Sequence, residues 1–116
     1  MLDAITDGAI LEVPALWPLE VANALTMLVR RRKLTENERQ AGLGWLRALP
    51  LRVDHEMSSL AFSVLSELAA TYQLSVYDAA YLELAQRRKL TLSCNDGALR
   101  KAATKCGVDL WAYATT

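Results

Sequence analysis

The chain has 116 residues, enough for one domain spanning 1–116 and too few for two. Hydrophobic residues make up 53% of it, so it can bury a sizeable core. Lys plus Arg is 13 and Asp plus Glu is 13, a formal net charge of zero, so any nucleic-acid recognition must come from a local basic patch rather than from whole-molecule charge.

Leu2 to Asp7 reads as the end of a short helix stopped by Gly8. Ala9 to Val13, AILEV, is a short apolar run closed by Pro14 and fits a buried strand. WPLEVANALTMLVRRR then reads as a helix. Pro18 suits its first turn, and Ala22, Leu25, Leu28 and Val29 form its apolar stripe. Thr35 and Glu38 have capping-box spacing and open a second helix to about Leu49, weakened locally by Gly42 and Gly44. Leu51 to Asp54 alternates like a strand. A long helix follows from Ser58 or Ser59 through Tyr72, with Leu60, Val64, Leu65 and Leu68 at helical spacing. LSVYDAAYLELA opens the next helix, to about Arg88. Leu90 to Cys94 is a strand, and DGALRKAATKCG a helix ended by Gly107. VDLW is a last short strand and AYATT a tail.

Cys94 and Cys106 form no CxxC pair and His55 is the lone histidine, which argues against a zinc site; a disulfide between the two cysteines stays open. The N-terminal stretch carries acids where a secretory signal carries bases, and no run of about 18 apolar residues could span a bilayer. The expectation is a soluble cytoplasmic domain with reduced thiols and no membrane partner.

Strands separated by helices predict an α/β fold with a parallel sheet. In such sheets the reactive crevice lies beyond the carboxyl ends of the strands. Three acids fall where helices begin on that edge: Glu20 after the Ala9–Val13 strand, Asp78 at the head of its helix, and Asp96 after the Leu90–Cys94 strand. Any one of them is explained by the helix dipole and capping alone. Three on one edge repel one another, and a divalent cation relieves that repulsion. Hard oxygen ligands completed by water suit Mg²⁺ or Mn²⁺.

VPALWPLEVANAL (Val13–Leu25), YDAAYLELA (Tyr77–Ala85) and CNDGALRKAA (Cys94–Ala103), in this order, closely resemble the PIN domain of VapC-type toxins, the ribonucleases of bacterial toxin–antitoxin pairs. The resemblance runs over nearly the whole chain, and its first two motifs are the specific ones. It implies a three-layer α/β/α fold and an Mg²⁺-dependent endoribonuclease. Glu20, Asp78 and Asp96 would be the catalytic and metal-holding acids, RNA the substrate and a cognate antitoxin the protein partner. Asn23 matches a polar position of the Glu-containing helix and stands at i+3 from Glu20 on the same face. Cys94 stands where the family has Thr or Ser, and reads as a buried strand-end thiol.

The N-terminus departs from the family. The acid that ends the family's first strand has no counterpart after an apolar strand here. Asp3, in MLDA, is a candidate replacement, but the connection to AILEV is too short for a parallel crossover. The chain therefore reads as a PIN-like domain with its first central strand, its first acid and part of its first helix missing, and the missing acid is expected to impair its cleavage of RNA. A catalytically inactive remnant that binds a protein partner is the rival expectation. Open edges beside the missing strand predict a homodimer or larger assembly.

Two basic clusters, Arg30–Lys33 and Arg87–Lys89, sit at helix C-termini, where the dipole accounts for them and phosphate binding is the alternative. Trp17 and Trp45 are expected to anchor a core or a partner surface, and Tyr77 and Tyr81, one turn apart, to pack in the core.

Overall fold

In the computed structural model, β1 (Ala4–Thr6), β2 (Leu11–Pro14), β3 (Leu51–Asp54) and β4 (Thr91–Ser93) form one sheet in the order β3-β2-β1-β4. The structure describes the backbone of residues 4–6 and all of residues 10–111. Five helices stand among the described residues: α1 (Leu16–Arg30), α2 (Glu36–Ala48), α3 (57–72), α4 (Val76–Arg88) and α5 (Gly97–Lys105). The fold is mixed α/β and mostly helical, and β2 and β3 pair in parallel.

The N-terminus corrects the sequence reading. Ala4–Thr6 is a strand rather than the end of a helix, and it occupies the central place expected to be vacant. Ile5 stands opposite Glu12 of β2 on one side and Leu92 of β4 on the other, both antiparallel. The physical reason is twofold. Without this strand β2 and β4 would face each other with unpaired N–H and C=O groups, each costing about 1–3 kcal/mol when buried. The connection to β2 is too short for a parallel crossover, but an antiparallel hairpin needs only a few residues. Gly8 and Asp3 lie outside the described residues, as does the tail from Ala112.

Helix α4 lies at the centre of the molecule. Ala79 to Ala85 are buried without interruption, which places α4 inside rather than on the surface. It packs against β2, β1, β4, α3 and α5. The core joins Tyr81, Leu82 and Leu84 to Val13, Trp17, Leu92 and Leu99. Helix α1 buries Trp17 and Val21, while Ala22 of the expected stripe is exposed. Helix α2 meets α1 at Gly42, where a Cβ would lie 3.6 Å from Leu25, an ordinary van der Waals contact that does not require glycine. The capping box forms as expected, Thr35 Oγ1 accepting from the Glu38 N–H at 3.1 Å and Glu38 Oε1 accepting from the Thr35 N–H at 2.9 Å. Helix α3 carries one wider π turn at Ala61–Leu65, which displaces the register: Leu65 is buried, while Phe62 and Val64 are exposed. Val108–Trp111 makes a single bridge, Leu110 to Leu92, rather than a strand.

Trp17 joins the core, whereas Trp45 is exposed. Tyr81 is buried and Tyr77, in the first turn of α4, is exposed, so only one of the two packs inside. Both cysteines are free thiols, Cys94 buried at the end of β4. No helix among the described residues is long and apolar enough to cross a membrane.

Candidate functional site

β2 and β4 each run antiparallel to β1, so they run parallel to each other and their carboxyl ends share one edge of the sheet. Helix α1 starts beyond the end of β2, and α5 beyond the end of β4. Glu20 and Asp96 therefore emerge on the same edge, as the chain order predicts. β1 contributes its amino end to that edge, with Ala4 opposite Ser93.

Asp96 is the N-cap of α5, and its Oδ2 accepts from the Leu99 N–H at 2.8 Å. The cap commits one carboxylate oxygen and leaves the side chain exposed. Asp78 is the third residue of α4, not its cap. That place belongs to Ser75, whose Oγ accepts from the Asp78 N–H at 3.0 Å. The Asp78 carboxyl is half-buried, and burial pushes its pKa up; the charge of Asp96 pushes it up further, and a hydrogen bond with Ser75 offsets part of the rise. The two aspartates are thus brought together from separate helices.

Glu20 lies one turn inside α1 rather than in its first turn. It is half-buried, and the Tyr81 hydroxyl donates to its Oε1 at 2.5 Å. Tyr81 stands at i+3 from Asp78, on the same face of α4. One helix therefore presents Asp78 toward Asp96 and Tyr81 toward Glu20. No group of three or more His, Cys, Asp or Glu side chains is gathered closely enough to hold a metal ion among the described residues. Asn23 is exposed on α1, and Asp3 lies outside the described residues. Arg100, one turn into α5, donates from Nη1 to the Cys94 carbonyl at 3.0 Å and ties the end of β4 to the helix that carries Asp96.

Of the basic cluster at Arg87–Lys89, both arginines are engaged by carboxylates. Arg87 reaches Glu83, Asp54 and Glu56, each at 2.8 Å. It holds the Asp54 carboxyl below its ordinary range. Arg88 Nε lies 2.7 Å from Glu12 Oε1, and Arg52 Nη1 lies 3.5 Å from the same oxygen. Glu12 is almost completely buried in β2. These arginines are structural, and the sequence reading missed their partners. The signals were present: Glu83 and Arg87 are at i,i+4, and Glu12 is an acid inside an apolar strand.

Tyr81 was also missed as a site residue. Its i+3 relation to Asp78 was the available clue. No protein-family model matches the chain, and no curated protein matches it.

Proposed function

We propose that the chain is a metal-dependent endoribonuclease of the PIN type, similar to the VapC toxins. The observation that carries this reading is that Asp96, the cap of the helix beyond β4, bears electrostatically on Asp78 in the first turn of the central helix α4. Two like charges that raise each other's cost, one of them partly withdrawn from water, are stabilised by a hard cation, and carboxylate oxygens are the ligands Mg²⁺ or Mn²⁺ prefers. Asp78 and Asp96 would hold that ion. Bound there, it would lower the pKa of a water and offset charge on the phosphodiester, which is the chemistry hydrolysis needs. Glu20, held by the Tyr81 hydroxyl one turn along α4 from Asp78, would be the third acid of this reading. By analogy with the family, cleavage leaves a 5′-phosphate and a 3′-hydroxyl. The protein partner in this reading is a cognate antitoxin.

A specific observation favours a second reading, a non-catalytic module that binds protein. Glu20 is engaged by Tyr81, and three carboxylates are not gathered as a ligand set among the described residues. Leu19, Phe62, Val76 and Tyr77 offer exposed apolar contacts for a partner.

Titrating Mg²⁺ against a labelled RNA separates the two. The nuclease reading expects cleavage at millimolar Mg²⁺, lost on adding a chelator and reduced at least 100-fold in Asp78→Asn and Asp96→Asn, as removal of a group that stabilises the transition state does. Cleavage that survives both substitutions would assign it to other residues or a contaminant. No cleavage at any Mg²⁺ concentration would favour the binding module.

A further inference from the structure

The reaction proposed above needs a place for a polyanion, and the two basic clusters prominent in the sequence supply none beside the acids. Arg87 and Arg88 are neutralised by Glu83, Asp54, Glu56 and Glu12. Arg30–Lys33 begins ten residues beyond Glu20 along α1, about 15 Å away at 1.5 Å per residue. Next to Asp96 the picture differs. A cleft of about 410 Å³ opens between the C-terminal end of α3 and one face of α5. Thr71, Gln73 and Gly97 contribute to its wall, and Lys101 and Lys105 line it from α5.

Gly97 lines the cleft and directly follows Asp96 in the chain, so the cleft adjoins the backbone that carries this acid. A Cβ at Gly97 would meet nothing within 4 Å, so the approach is open. Lys101 and Lys105 are exposed, and among the described residues no ion pair engages either of them. At i,i+4 they project from one face of the helix, roughly 6 Å apart along its axis. That separation is comparable with the distance between successive phosphates of a single strand. The hydroxyl of Thr71 and the amide of Gln73 add neutral hydrogen-bonding groups on the opposite wall.

We infer that the α3–α5 cleft holds the sugar-phosphate backbone of single-stranded RNA, with Lys101 and Lys105 each meeting a phosphate and directing the strand toward Asp96. This inference rests on the nuclease reading but makes the lysines positioning residues only. Lys101, about 7 Å beyond Asp96 along α5, anchors the strand nearest the acid and Lys105 continues its path one turn further out; neither touches a reacting atom.

Binding without cleavage tests it. Fluorescence anisotropy of a labelled single-stranded RNA is measured in chelator across a salt series. The wild-type chain binds. Lys101→Gln/Lys105→Gln loses about tenfold in affinity at moderate salt, and its log–log salt slope is shallower by about 1.4, two phosphates at 0.7 each. Lys101→Arg/Lys105→Arg retains both affinity and slope, which separates lost charge from lost structure. Arg31→Gln/Arg32→Gln at the far end of α1 changes neither. A glutamine double variant with wild-type affinity and slope overturns the inference, and so does a wild-type chain that fails to bind. RNA bound through these lysines yet left intact in Mg²⁺ would uphold the cleft and sink the nuclease reading instead.

Discussion

At Asp78 the chain sets a carboxylate where folding alone disfavours its charge. Burial raises the pKa above the ordinary 3.8, and Asp96 raises it again. Between 3.8 and that raised value the native state binds more protons than the unfolded state. Stability therefore falls as pH rises through this window, and the penalty is complete above it. Asp78→Asn removes a group that pays that penalty. Thermal melts from pH 3 to pH 7 are expected to show the variant gaining on the wild type as pH rises, by a small margin because the group is only half-buried. A gap that stays constant or narrows toward neutral pH would show that Asp78 is comfortable when ionised. Asp96 differs: as the N-cap it contributes to helix stability, and an Asn there caps nearly as well. Added Mg²⁺ should raise the wild-type melting temperature and leave that of Asp78→Asn unchanged, since binding to the native state alone stabilises it.

At the scale of elements, α4 is tied to the sheet by more than its apolar face. Glu12 of β2 is buried, and its closest partner is Arg88 in the last turn of α4. Removing one partner of a buried ion pair leaves an uncompensated charge, which costs about 3–5 kcal/mol when nothing replaces it. Arg52 stays 3.5 Å away and Arg88 is itself half exposed, so Arg88→Ala should cost about 2 kcal/mol. Urea unfolding reads this directly, and a loss below about 0.5 kcal/mol would place the pair with ordinary surface bridges. The same helix shows what a sequence can disclose. The Thr35–Glu38 box, the strand at Leu51–Asp54 and the helix from Val76 were legible because each depends on residues a few places apart. Asp96 was placed on its edge by the strand that precedes its helix, whereas the helix of Asp78 follows α3 and its place came only from its position in a first turn. Glu12 with Arg88 and Glu20 with Tyr81 were not legible, because the partners meet only after the chain has folded; Glu20 and Tyr81 stand 61 residues apart. Nor was the π turn in α3, which moves Val64 outward against the helical spacing.

The whole molecule depends on three residues of N-terminal chain. Strand β1 is short, yet among the described residues it is the strand that joins β2 to β4 within the sheet. MLDAITDG has a poor composition for a central strand, which is why the sequence argued for open edges and for association to cover them. Propensity was the weaker consideration. Two strands with unsatisfied backbone groups gain more from any hydrogen-bonded neighbour than a poor composition forfeits. With β1 in place the edge argument for a homodimer no longer applies, and association would have to come from exposed side chains such as Leu19 and Phe62. Ile5→Pro tests the point. As the middle residue of a strand paired on both sides, Ile5 donates its N–H to one neighbour or the other, and proline removes that donor. The lost bond and the carbonyl left behind should cost about 2–4 kcal/mol, a large share of the stability of a domain this size. Size-exclusion chromatography with light scattering should find the wild type monomeric at micromolar concentration. The variant should be less stable and should associate through the newly opened edges of β2 and β4. A variant as stable and as monomeric as the wild type would mean that β2 and β4 can close on each other without β1.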